Sequence, residues 1–147
     1  STELRCGSSG YQIAVKAGNV RISGFFFAAS TRVSIIAQGP ENSTLTVRNC
    51  HFTEHEGLAV ILVVHEDAGV STELDELRNI NIASMNVRLQ TSLIFDNIVD
   101  LSPIVSIRGS ISVNDCVFQR NTGQASTIIS TSESTVSIFA SCFLGNT

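Results

Sequence analysis

The chain has 147 residues and a formal net charge of −4, with no Lys/Arg cluster, and is 43% hydrophobic against 15% charged. That length suits one domain with a core, the composition excludes a disordered chain, and the charge argues against nucleic acid as a partner. Even the apolar run Leu58 to Val64 spans only seven residues, far short of the roughly 18 a membrane helix requires, so no membrane insertion is expected.

In chain order, the opening Ser1-Thr-Glu-Leu-Arg-Cys6 is polar and unlike a signal segment. A secreted chain would begin here after removal of a targeting peptide. Short β-branched runs with period two then recur at Val20-Arg-Ile22, Leu45-Thr-Val47, Ile80-Asn-Ile82, Ile111-Ser-Val113 and Val136-Ser-Ile138, each reading as a strand with one buried face. Each opens a common phrase: Ile22-x-x-Phe25-x-Phe27-x-x-Ser30, Val47-x-x-Cys50-x-Phe52-x-x-His55, Ile82-x-x-Met85-x-Val87-x-x-Gln90, Val113-x-x-Cys116-x-Phe118-x-x-Asn121 and Ile138-x-x-Ser141-x-Phe143-x-x-Asn146. The copies start 25, 35, 31 and 25 residues apart, a period in the range of solenoids. Further β-rich runs follow at Val33 to Ile36, Leu58 to Val64, Leu93 to Phe95, Ile104 to Ile107 and Ile128-Ile129, separated by Gly, Pro, Asn and Ser turn material.

Two or three strands per turn of about 25 residues make a β-solenoid coil that rises by one strand spacing, roughly 4.8 Å. The expected fold is all-β, a right-handed parallel β-helix (β-solenoid) of about five coils forming one domain over residues 1–147. The coils are expected near 20–44, 45–79, 80–110, 111–135 and 136–147, the last incomplete. A short helical or loop insertion is expected around 65–79, where Ser71-Thr-Glu-Leu74-Asp-Glu-Leu77 would place Leu74 and Leu77 together.

The phrase Val113-Asn-Asp-Cys116-Val-Phe118-Gln-Arg-Asn121-Thr122-Gly123, its echo Ser141-Cys-Phe143-Leu-Gly-Asn146-Thr147, and Val20-Arg-Ile22-Ser-Gly24-Phe25 resemble rungs of the secreted right-handed parallel β-helix repeat proteins, the pectate-lyase-like superfamily. The resemblance covers about residues 11–147 and implies right-handed coils, stacked like residues inside and a turn at the Asn. It implies an extracellular or cell-surface location but no particular chemistry, since one architecture serves many functions.

In this register the inward stack holds Cys50, Met85 and Cys116 in one column and Phe27, Phe52, Val87, Phe118 and Phe143 in the next. Cys50 and Cys116 lie two coils apart, beyond disulfide reach, and read as small buried hydrophobes. The outward columns are Arg21, Thr46, Asn81, Ser112, Ser137 and Ser23, Arg48, Ala83, Asn114, Phe139. A lyase or hydrolase of this architecture needs carboxylates there, and neither column has one, so no catalytic residues and no enzyme activity are expected. His51, His55 and His65, with neighbouring Glu and Asp, read as turn and loop residues rather than metal ligands, so no metal and no cofactor are expected. Arg48 and Arg108 remain candidates for a sugar carboxylate, and Asn42-Ser43-Thr44 is a glycosylation sequon in a Gly-Pro turn.

The leading functional expectation is an extracellular structural subunit that partners itself, stacking head to tail into a filament. Cys6 would bridge to Cys142 of the neighbour. Leu58, Val60, Ile61, Leu62, Val63 and Val64 are apolar on both strand faces and would need cover from an inserted segment or a lateral contact. The alternative is a carbohydrate-binding or adhesin module using the outward Arg, Asn and Ser with few aromatics, Phe26, Phe139 and Tyr11.

Overall fold

The computed structural model describes residues 2–5 as backbone, and residues 11–65, 75, 76, 79, 82–125, 127–130 and 133–147. Its strands form three sheets in which every pairing is parallel, stacked as a β-solenoid of about five turns. Sheet A has six strands: β1 (Thr2–Arg5), β4 (Phe25–Ala28), β7 (His51–Thr53), β10 (Leu93–Phe95), β13 (Val117–Gln119) and β16 (Cys142–Leu144). Sheet B has five: β2 (Tyr11–Val15), β5 (Val33–Ala37), β8 (Ala59–Val63), β11 (Ile104–Ser106) and β14 (Ile128–Ser130). Sheet C has five: β3 (Asn19–Ser23), β6 (Thr44–Arg48), β9 (Asn86–Gln90), β12 (Ile111–Asn114) and β15 (Val136–Phe139). Among the described residues helix is confined to Asp75 and Glu76, and the expected pairing of Leu74 with Leu77 lies outside them.

Each coil bends sharply at single residues with positive φ. Gly24, Asn49, Thr91, Asp115 and Ala140 turn the chain from sheet C to sheet A, and Ala29, Glu54, Asp96, Arg120 and Gly145 turn it out of sheet A. The corner amides continue the ladder: Asn49 N–H donates to the Gln90 carbonyl at 3.1 Å and Thr91 N–H to that of Asn114 at 3.0 Å. One left-handed residue per corner changes strand direction without interrupting the stacking, which keeps the column register identical from coil to coil. Coil spacing is tight at Gly57, where a Cβ would lie 2.2 Å from the Arg32 backbone.

The register corrects one part of the sequence reading. Leu45 pairs with Val87 and Val47 with Leu89, which in turn pair with Ile111 and Val113. The third phrase is therefore Leu89-x-x-Ser92-x-Ile94-x-x-Asn97, seven residues later than expected, and the phrases start 25, 42, 24 and 25 residues apart. The third coil begins at Asn86 rather than near residue 80, and all the extra length falls between β8 and β9. Ile82 is 47% exposed and lies outside any strand. Met85 is buried, but at the corner beside Gly39 and Gly109, and Val87 is buried in sheet C. Their expected places in the stack belong to Ser92 and Ile94. Locally, Ile80-Asn-Ile82 and Val87-Arg-Leu89 carry the same alternation; cross-coil pairing distinguishes them.

The core contains Phe27, Phe52, Ile94 and Phe118 in one column, with Phe27 and Phe52 rings stacked at 4.7 Å and Phe118 on Phe143 at 4.9 Å. Beside it runs a buried polar ladder. Asn97 Nδ2 donates to Asn121 Oδ1 at 2.8 Å, and Asn121 Nδ2 to Asn146 Oδ1 at 3.0 Å. The same Nδ2 atoms reach the Phe52 and Ile94 carbonyls. His55 continues the ladder, its own N–H donating to Asn97 Oδ1 at 3.2 Å. A second apolar cluster, including Ile36, Leu62, Val64, Val105, Ile107 and Ile129, is also buried. Leu58, Val60, Ile61, Leu62, Val63 and Val64 are at most 4% exposed in the single chain. The chain covers this run itself, which removes it as a lateral contact surface.

Candidate functional site

Strand alternation turns the apolar residues of sheet C inward and presents a polar outer face. With the corrected register its columns read Arg21, Thr46, Arg88, Ser112, Ser137 and Ser23, Arg48, Gln90, Asn114, Phe139, flanked by Asn19, Thr44 and Asn86. Arg88 and Gln90 replace the expected Asn81 and Ala83. Arg21 and Arg88 are in one column on either side of Thr46, about 10 Å apart at two strand spacings. Arg48 is on the strand between theirs, two residues further along.

All three arginines are exposed, and none is in an ion pair among the described residues. The five strands of the face contain no Asp or Glu. A cleft of about 350 Å³ is lined by Asn19, Arg21, Thr44, Thr46 and Arg88, and a second of about 170 Å³ by Asn86, Arg88, Ser110, Ser112, Thr135 and Ser137. They share Arg88 and follow the solenoid axis. Guanidinium, amide and hydroxyl groups make this a face of hydrogen-bond donors around fixed positive charge, with no group suited to proton transfer near neutrality.

Two arginines elsewhere, Arg108 and Arg120, are paired with acids. Arg108 is bound to Glu133, with Nη1 at 2.6 Å from Oε2, and Arg120 holds Asp96 through Nε and Nη2 at 2.6 and 2.8 Å. The hydrogen bonds from Arg120 hold the Asp96 carboxyl below its ordinary range. Arg108, the second arginine expected to meet a sugar carboxylate, is thus taken up by an acid of its own chain. A larger cavity of about 600 Å³, lined by Ile128, Val136, Ile138, Phe143 and Asn146, is the open interior of coil five.

The three histidines are not brought together. His51 is exposed with its ring edge-on to Phe26, His55 is buried in the ladder, and His65 follows β8. Among the described residues no group of three metal-ligating side chains forms. Asn42 is exposed at the turn closed by Ser43 N–H on the Pro40 carbonyl, 2.9 Å.

Cys50, Cys116 and Cys142 are free thiols, and Cys6 lies outside the described residues. Ser92 separates the first two, accepting the Cys50 N–H through Oγ at 3.2 Å and the Val117 N–H through its carbonyl at 3.0 Å. Burial pushes the Cys50 and Cys116 thiols up, whereas Cys142 is exposed on β16. Site-resolved alkylation of the native protein is expected to modify Cys142 and spare Cys50 and Cys116 until unfolding. Equal labelling of all three would contradict this packing.

The fold is that of a parallel β-solenoid. Comparison with protein-family models, curated proteins and solved structures found no match.

Sequence reasoning found Arg21 and Arg48 but missed Arg88 and Gln90. The signal was the better fit of Ser92 and Asn97 to the Cys116 and Asn121 positions.

Proposed function

We propose that this β-solenoid is a binding module for an extended anionic glycan, sulfated or carboxylated, held along the outer face of sheet C. The observation that carries the reading is the group Arg21, Arg48 and Arg88, exposed on one flat face with no acid in its columns. Arginine forks match carboxylate and sulfate oxygens, and the neighbouring Thr, Asn and Ser suit sugar hydroxyls. The overall charge of −4 makes this patch a local field rather than a general polycation. The role belongs with the secreted right-handed β-helix superfamily, an extracellular or cell-surface location and a glycan at exposed Asn42. It is a binding role, not an enzymatic one.

Equilibrium binding to sulfated, carboxylated and neutral oligosaccharides tests it. Acidic chains are expected to bind and to weaken with added salt. Arg88→Ala should cost at least about tenfold in affinity, the worth of one charge-assisted hydrogen bond. Equal affinity for neutral chains, or preference for single-stranded nucleic acid, would refute the assignment.

A further inference from the structure

We propose that the glycan taken by the outer face of sheet C has an acidic group on every sugar unit, with successive acids on opposite edges of the extended chain, and that it lies along the solenoid axis. This rests on the glycan-binding reading and specifies its ligand.

Each of coils one to three contributes one arginine and one neutral polar residue to the two outward columns, and their order reverses at every step. Arg21 precedes Ser23 on β3, Thr46 precedes Arg48 on β6, and Arg88 precedes Gln90 on β9. Pairing sets Arg21, Thr46 and Arg88 in one column and Ser23, Arg48 and Gln90 in the other. The cations therefore advance along the axis by one strand spacing at a time, about 4.8 Å, while crossing between columns about 7 Å apart. Coil four ends the alternation: the next cation would stand at Asn114, which is neutral, beside Ser112. The offset also keeps the guanidinium groups from facing one another directly across adjacent strands, where like charges destabilise a sheet.

A polyanion laid along a strand would pass a single arginine, since β3, β6 and β9 have one each. Laid across the strands it passes all three. In a fully extended glycan each pyranose unit is turned by half a revolution from the last, and its advance is close to one strand spacing. An acid on every unit then projects alternately to the two edges, once per coil, and meets Arg21, Arg48 and Arg88 in turn. An acid on every second unit projects from one edge alone, two spacings apart. Such a chain satisfies Arg21 and Arg88 and leaves Arg48 without an anion. The guanidinium fork accepts carboxylate and sulfate alike, so the spacing and the edge of the acids, rather than their kind, are what this face selects.

Equilibrium binding at fixed salt tests this with three sets of oligosaccharides matched in their number of acidic groups: uronic acid on every unit, uronic acid alternating with sulfated hexosamine, and uronic acid alternating with unsulfated hexosamine. One or both of the first two sets are expected to bind at least about tenfold tighter than the third, the worth of the added charge-assisted hydrogen bond at Arg48. The tighter of the two identifies the acid. Arg48→Ala should reduce the preferred set to the level of the third, whereas Arg21→Ala should weaken all that bind. Thr46→Arg/Arg48→Thr keeps the net charge but moves the middle cation into the column of Arg21 and Arg88, and it should erase the preference as well. Arg48→Ala decides the matter if the double variant does not fold. Equal or tighter binding of the third set, or an Arg48→Ala loss shared equally by all three, would overturn the alternation while leaving anionic-glycan binding in place. Binding of none of the acidic chains would overturn both.

Discussion

Phe52→Ala is expected to lower the unfolding free energy by about 3–5 kcal/mol, the usual penalty for removing a buried aromatic ring. Phe52 is fully buried, with Phe27 stacked on one face at 4.7 Å and 3° and Ile94 following in the next coil. Its column is pinned from both sides by parallel pairing, so the coils cannot close on the void without breaking register, and most of the cavity should persist. A loss of that size is a large share of the stability of a domain this long. Phe143→Ala is the internal control. It has the same column position, but it is 39% exposed and should cost about 1 kcal/mol or less at concentrations where the chain is monomeric. Denaturant titrations of the two variants make the comparison, and equal losses would mean that coil five is as well packed as coil two.

His55 is expected to make the fold acid-sensitive. Its ring is fully buried, Nδ1 accepts the Ser30 N–H at 3.1 Å, and Nε2 lies 2.9 Å from Ser34 Oγ. The donated Ser30 N–H leaves Nδ1 without a proton, so neutral imidazole carries its proton on Nε2 toward Ser34. Burial, only partly opposed by the Phe27 carbonyl, depresses the histidine from 6.5 to about 4. The folded-state value lies below the unfolded one, so the contribution is fully present above pH 6.5 and is lost as pH falls through about 4. By pH 4 the unfolded chain has gained about 3 kcal/mol from protonation that the folded chain resists. The nearest acids in sequence, Glu54 and Glu56, are exposed beside the corner. His55→Asn would place an amide in the ladder, as Asn97 and Asn121 do, and should shrink the stability difference between pH 7 and pH 4 by that amount. If the variant keeps the same pH dependence, His55 is not its source.

Much of this architecture is local in origin. Period-two runs such as Ile111-Ser-Val113 and Val136-Ser-Ile138, and phrases such as Val113-x-x-Cys116-x-Phe118-x-x-Asn121, mark a strand, a corner, a second strand and a ladder position without reference to any other coil. The parallel β-solenoid, four of its five phrases, the inward Phe column and the acid-free outer columns follow from that pattern. Even the short strand Leu93–Phe95 stands out as a β-rich run, whereas β1 and β2 precede the first full phrase and carry no copy of it. The third rung was decided by tertiary structure. Ile82 and Leu89 each end an alternating triplet, and only the pairing of Leu89 with Val47 and Val113 chooses between them. That choice brings Arg88 beside Arg21 and Arg48. Side-chain alternation depends on neighbours in sequence, whereas register depends on residues tens of positions away, and a seven-residue slip of one rung preserves the local pattern of apolarity while exchanging the residues that rung places on the face.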